Sequence, residues 1–351
     1  MSLSVKIGPT KYTEYQGEKM KIQIRTLIVW LTIALFSLLV LPTSWGQGVK
    51  KKWASDVRIR FFTGGSEGDG FGSIVYAGAL QAAEDTGANV EYLFSNWSME
   101  TMIQQLRESI ATKPDGIAMM GHPADDAIMP LAMQAKKAGI RMTYLNVDVP
   151  TVRANHGGGY VGADLSPQGY ALGAEAIKRF SLKSGDKAIV FGPWNERNRA
   201  LRELGTVKAF ENIGMEVVKI FAGPDSAKDP NLLIPVHTSA LLNNPDTRVV
   251  AYPGGQILGN APVYMKTARK KPGDIFIIGF DTSPQIMDAF DDQWIHLTSD
   301  QQPFLQGYLP VLSLCLQKVY GLEPLSVDTG AGFVTPANYK LVAELARKGY
   351  R

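Results

Sequence analysis

Residues 275–284 read Ile-Phe-Ile-Ile-Gly-Phe-Asp-Thr-Ser-Pro. Four β-branched or aromatic residues run into glycine, phenylalanine and a carboxylate. A short unbroken apolar run bounded by turn residues is the pattern of a strand buried on both faces, as in a parallel sheet. Asp281 then stands just past the strand's carboxyl end, the edge at which open parallel sheets present groups to a ligand.

The same rhythm fills the chain on either side. Val57–Thr63, Val90–Phe94, Gly116–Met120 and Arg141–Leu145 read as strands. Ser73–Thr86, Met99–Ala111 and Ala124–Ala138 read as helices between them, two of them stopped by Gly87 and Gly139. After an extended Tyr160–Val161 a second block follows. Its strands are Ala188–Phe191, Val217–Phe221, Val249–Tyr252, Ile275–Phe280 and Trp294–Thr298. Its helices are Pro167–Phe180, Arg199–Ile213, Asn231–Leu242, Ile257–Ala268, Pro284–Phe290 and Pro303–Tyr320. Strands alternating with helices predict parallel sheets covered on both faces, and right-handed crossovers gather the strands' carboxyl ends on one edge.

Polar and aromatic residues recur at those ends. Asp69 and Phe71 lie in the glycine-rich loop Gly64–Gly72 after the first strand, His122 after the third, and Asn146 after the fourth. In the second block come Trp194, Arg202, Pro253-Gly254-Gly255, Asp281 and Gln301. Carboxylates and amides match vicinal hydroxyls while aromatic faces cover C–H surface, so this mixture suits a carbohydrate. Several of these have a plainer reading beside the functional one. Asp69 is either a ligand contact or the cap of the helix near Ser73, and ligand contact is the reading preferred. His122 is equally a loop histidine with a satisfied ring. Asp125 and Asp126 read as first-turn helix residues, and Asp148 as a turn residue before Pro150. Of Trp97 and Trp194, the strand-end position favours Trp194.

Composition narrows the function. The chain has 351 residues, 45% hydrophobic and 20% charged, with a net charge of +3, which is a globular composition and no footprint for nucleic acid. The single cysteine, Cys315, lies in an apolar context and reads as core. Four histidines stand without metal-ligand spacing, and no Gly-x-Ser-x-Gly elbow is present, so neither a metal, a cofactor nor a catalytic residue is assigned. The loop Gly64–Gly72 lacks the Gly-Lys-Ser/Thr of a P-loop. Residues 1–46 read as a leader: Lys21 and Arg25 precede an apolar run from Leu27 to Leu41, and Ser44-Trp45-Gly46 offers a cleavage site before Gln47. Met20 is a plausible true start. A cleaved signal peptide is preferred over a retained anchor, which places the mature protein in the periplasm or otherwise outside the cytoplasmic membrane.

Taken in order, three segments resemble a known family. Ile278-Gly279-Phe280-Asp281-Thr282-Ser283-Pro284 is similar to the G-F-D-x-x-P signature of the type I periplasmic binding proteins of sugar ABC transporters, in their ribose-binding-like branch. Arg202-Glu203-Leu204-Gly205 resembles that family's R-x-x-G segment, and Asp300-Gln301-Gln302-Pro303 with Gly307 its hinge segment. The resemblance runs from about Val57 to Val334. It implies two Rossmann-like lobes joined by a three-strand hinge: residues 57–163 plus 302–325, and residues 164–301 plus 326–351. It implies a small sugar or polyol bound between them by Asp69, Phe71, His122, Asn146, Trp194, Arg202, Asp281 and Gln301, with Arg202 and Asp281 partly paired before the ligand arrives. The first-lobe contacts depart from the family pattern: Val147 replaces an arginine and His122 an asparagine. A pentose, polyol or small sugar other than ribose is therefore expected. The family also implies a monomer that meets ABC permease subunits carrying a cytoplasmic ATPase, and a chemoreceptor is a compatible further partner. A sugar-sensing regulator on the same core and a secreted glycan-active enzyme are the competing readings.

Overall fold

The computed structural model describes residues 51–330 and 332–351; the leader read from residues 1–46 lies outside them. The first lobe runs β1 (Arg58–Phe62), α1 (Gly72–Thr86), β2 (Asn89–Leu93), α2 (Met99–Ala111), β3 (Gly116–Met120), α3 (Ala124–Lys137), β4 (Arg141–Leu145), α4 (Pro150–His156) and β5 (Gly159–Gly162). The chain then enters the second lobe with α5 (Leu165–Phe180), β6 (Lys187–Gly192), α6 (Leu201–Glu211), β7 (Glu216–Phe221), α7 (Pro224–Lys228) and α8 (Ile234–Asn243). β8 (Thr247–Ala251), α9 (Gly255–Gly259), α10 (Ala261–Thr267), β9 (Phe276–Phe280), α11 (Pro284–Asp291) and β10 (Leu297–Ser299) complete that stretch. It returns to the first lobe for α12 (Pro303–Tyr320) and β11 (Val327–Asp328), and ends in the second with β12 (Phe333–Val334) and α13 (Lys340–Arg347).

The two sheets have orders β11-β5-β4-β3-β1-β2 and β12-β10-β9-β8-β6-β7. Every pairing is parallel except that of β10 with β12. The strand order reverses at β1/β3 in one sheet and at β6/β8 in the other. Such reversal points open a crevice beyond the strand ends, because neighbouring crossovers leave on opposite faces. The central strands are buried along their length: β3 shows no exposed residue, and β9 only Phe276 partly.

Among the described residues three crossings join the lobes, after β5, after β10 and after β11. The third falls beyond Asp328, not at 325/326 as the family pattern suggested, because Val327 and Asp328 pair with Val161 and Gly162 in the first sheet. A two-residue strand carries too little periodicity to place a boundary from sequence.

Glycines set how closely the covering helices approach. A Cβ on Gly205 in α6 would lie 2.3 Å from the Ser166 carbonyl oxygen, and one on Gly169 in α5 would collide with the carbonyl of Arg202. In the first lobe a Cβ on Gly307 in α12 would lie 1.9 Å from the Val75 carbonyl of α1. Backbone cannot yield as a side-chain tip can, so these helices pack at a separation only glycine permits. The glycines of the R-x-x-G and hinge segments thus serve helix packing, and Arg202 is carried on a helix whose height above the sheet is fixed.

Candidate ligand-binding site

Asp281 and Asn146 occupy matching places in the two lobes, each one residue past the strand fourth in chain order in its sheet. Both are non-glycine residues with positive φ, 81° and 63°. Each is held there by the following strand. The Asp281 N–H donates to the Ser299 carbonyl at 2.9 Å, and its own carbonyl accepts from the Thr298 hydroxyl at 2.8 Å. The Asn146 N–H donates to the Val161 carbonyl at 3.2 Å, and its carbonyl accepts from the Tyr160 hydroxyl at 3.0 Å. A left-handed conformation costs an L-residue roughly 1–2 kcal/mol, and such strain persists where surrounding bonds over-determine it. The result is two side chains turned out of their sheets toward each other.

Between them lies Gln301, on the second crossing. Its Nε2 donates to Asp281 Oδ1 at 2.6 Å, and its Oε1 accepts from Asn146 Nδ2 at 3.4 Å. Gln306 accepts a second bond from that amide at 3.2 Å, which fixes Asn146 Oδ1 toward His122 Nε2 at 3.0 Å. Asp281 Oδ2 accepts from the Gly255 N–H at the start of α9 at 2.6 Å. A continuous polar chain therefore runs from the first lobe through the hinge into the second.

Arg202, 2% exposed, lays its guanidinium 4.0 Å above the ring of Phe280 and donates to the Pro253 carbonyl. The phenylalanine of the Gly-Phe-Asp signature is thus the platform for the arginine, while the aspartate faces the cavity. Arg202 does not pair with Asp281. Glu203 takes it at 3.2 Å and takes Arg199 at 2.9 Å, because it sits buried between the two guanidiniums. Burial, with Arg199 close by, pushes Arg202 down to about 10, so it remains charged near neutrality. Burial raises Asp281 above the usual carboxylate range despite Arg202 and the bonds from Gln301 and Gly255.

His122, Asn146, Gln301, Asp281 and Arg202 line one cavity. Of the residues singled out by sequence, Phe71, His122, Asn146, Arg202, Asp281 and Gln301 line it. Asp69 and Trp194 do not. Asp69 accepts from the N–H groups of Ser66, Phe71 and Gly72, shaping the glycine-rich loop, and from Gln256 Nε2 at 3.1 Å in the other lobe. Its plainer reading, a cap, is the one its contacts match. Trp194 packs on Gly192 and donates its N–H to the Ile220 carbonyl at 2.8 Å. Trp97 is the tryptophan in the wall, 6.0 Å from Phe71 and 5.4 Å from His122 between ring centroids.

Sequence reading missed Glu196, Arg199 and Gln256. Glu196 and Arg199 lie in the loop after β6, and Gln256 in the first turn of α9 after β8, just beyond the Pro193-Trp194-Asn195 and Pro253-Gly254-Gly255 segments and beside the reversal point. Extending the strand-end rule into the following loop would have reached them. Glu196 meets His122 Nδ1 across the lobes at 3.5 Å. Burial raises its carboxyl, but His122 and Arg199 outweigh that and hold it below the usual range. Two guanidiniums, Arg199 and Arg202, thus face three carboxylates, Glu196, Glu203 and Asp281. Such a balance offers no net positive field to an anion.

Residues 61–317 match the family model of the periplasmic binding protein domain. The chain belongs to that family. Its fold is the type I form, with two parallel-sheet lobes. A carbohydrate transporter from Acidothermus cellulolyticus 11B, solved with myo-inositol, superposes with a TM-score of 0.74 at 25% identity over 84% of this chain and 99% of that one. An ABC transporter solute-binding protein from Burkholderia graminis C4D1M, solved with D-arabinose, shares the fold with a TM-score of 0.71 at 21% identity, covering 81% and 97% of the two chains. The xylose/arabinose-binding protein of Sulfolobus acidocaldarius is 26% identical over 252 residues, 68% of this chain. That match spans 61% of the relative's own length.

Proposed function

We propose that this periplasmic binding protein is the extracytoplasmic solute receptor of a sugar ABC importer. It takes a small neutral sugar or polyol between its lobes and closes about the hinge. The observation that carries this is the polar chain His122–Asn146–Gln301–Asp281, in which both lobes and a hinge crossing contribute to one cavity wall. Asp281 accepts from ligand hydroxyls, Arg202 donates, and Asn146 and Gln301 do both. Phe71 and Trp97 cover C–H surface. Hydrogen bonds to charged groups shielded from water contribute about 1.5–3 kcal/mol each, so Asp281 and Arg202 dominate affinity. Closure brings the lobes together into the surface an ABC permease recognises. A relative named for xylose and arabinose and a neighbour solved with myo-inositol support this class of ligand.

Trp97 in the wall supplies the test. Pentoses, hexoses and polyols titrated into the purified mature protein are followed by tryptophan fluorescence and by calorimetry. At least one member gives saturable binding and is recovered unchanged. Absence of binding across the panel would refute the proposal, and conversion of the sugar would move the protein to the glycan-active class.

A further inference from the structure

Arg199 and Arg202 both line the cavity, and both donate to the Pro253 carbonyl, Arg199 through Nη2 at 2.7 Å. Two guanidiniums meeting at one oxygen form a grip that suits a carboxylate or phosphate on a ligand. Here the carboxylate they hold is the protein's own. Glu203 is 1% exposed and does not line the cavity. Arg202 precedes it directly in the chain and Arg199 lies four residues before it, so the start of α6 brings both to its side chain. Its oxygens accept from Arg199 Nη1 at 3.0 and 2.9 Å and from Arg202 Nε at 3.2 Å. Burial lowers Arg199, but Glu203 outweighs that and raises the guanidinium above its usual range.

The wall itself carries these two guanidiniums and the carboxylates of Glu196, which pairs with His122, and Asp281. Glu203, behind the wall, tips that balance to the negative side. Resting on the function proposed above, we infer that Glu203 is a positioning residue that sets specificity: it reserves Arg199 and Arg202 for the hydroxyl groups of a neutral sugar and turns away the corresponding uronate. An anion entering the cavity would give up its water to meet guanidiniums whose charge is already balanced, and that desolvation goes unrepaid. A hydroxyl group needs only the N–H donors, which the balance leaves in place. Discrimination of this kind comes from disfavouring the wrong ligand, not from added contacts with the right one.

The test sets neutral sugars against uronates of the same ring configuration: D-xylose and D-glucose against D-glucuronate, L-arabinose and D-galactose against D-galacturonate. Each is titrated calorimetrically near neutral pH into the mature protein and into its Glu203→Gln and Glu203→Asp variants. In the wild type a neutral sugar binds more tightly than its uronate. In Glu203→Gln the ratio shifts toward the uronate by about tenfold or more. Glu203→Asp keeps the charge, so its ratio stays with the wild type even where both affinities fall. If Glu203→Gln does not fold, Arg199→Gln is compared with the Arg199→Gln/Glu203→Gln double variant, and the same shift is expected on losing the carboxylate. A ratio unmoved by loss of the Glu203 charge, a ratio that shifts as far in Glu203→Asp, or a wild type that takes uronates as tightly as neutral sugars would overturn this inference and leave the sugar-receptor reading standing. If none of these sugars binds while another sugar or polyol does, the inference alone fails. If no sugar or polyol binds, both fail.

Discussion

Asp281 answers why an apolar strand ends in a carboxylate. The strand β9 fixes the residue's position, the bonds to Ser299 and Thr298 hold its backbone left-handed, and that twist aims the carboxylate away from the sheet. Conformation and chemistry can therefore be separated by mutation. Asp281→Gly and Asp281→Ala both delete the carboxylate, but glycine tolerates φ 81° and alanine does not. The unliganded Asp281→Gly protein should be more stable than Asp281→Ala by about 1 kcal/mol in denaturant unfolding, and both should lose the ligand's thermal shift. Glu196 gives a pH signature. Its carboxyl titrates below the usual 4.5 because of His122 and Arg199. Its contribution to stability is therefore present above that pH and lost as pH falls through the lower folded-state value. The melting-temperature difference between wild type and Glu196→Gln should shrink as pH falls below 4.5.

At the scale of elements, helix packing delivers Arg202. The carbonyl of Arg202 rests where a Gly169 side chain would be, and Gly205 lies against the backbone of Ser166 and Tyr170. A methyl group at Gly205 must push α6 off α5. Gly205→Ala is expected to cost about 1–3 kcal/mol by overpacking and to weaken ligand binding although every cavity residue is intact; unfolding curves and calorimetry on one sample check both. The R-x-x-G spacing was legible in sequence as a motif, but its glycine's purpose was not, since close approach is a relation between α5 and α6. Strand and helix alternation was legible because burial on both faces writes long apolar runs such as Ile275–Ile278. Irregular pieces were not. The helix expected over Ile257–Ala268 breaks at Asn260, where Pro262 follows, and the strand expected from Trp294 begins only at Leu297. The short helices α4 and α7 carry too few turns for a periodic signal, and the charged face of α13 hid the two buried alanines that seat it.

For the whole molecule, the decisive feature is that polar side chains meet across the gap between lobes. His122 meets Glu196, Asp69 meets Gln256, and Asn198 donates to Asp125 at 3.3 Å and to the Asp148 carbonyl at 3.4 Å. Asn198 does not line the cavity, so it acts on closure alone. Asn198→Ala removes hydrogen bonds that together contribute about 1 kcal/mol and should speed ligand release several-fold in stopped-flow fluorescence with little change in the association rate. The site was only partly legible in sequence for the same reason. Strand-end residues such as Asp281 and Asn146 follow from topology, whereas Glu196 and Gln256 matter through what faces them from the other lobe.

In the proposed receptor, both lobes hold one ligand at once. The most direct test is calorimetric titration of one sugar, found to bind wild type, into Asn146→Gly and Asp281→Gly, each of which keeps the local backbone free of strain and alters one lobe only. Both variants should lose affinity tenfold or more. Full affinity in either one would mean that the ligand sits on a single lobe, and would contradict the proposal.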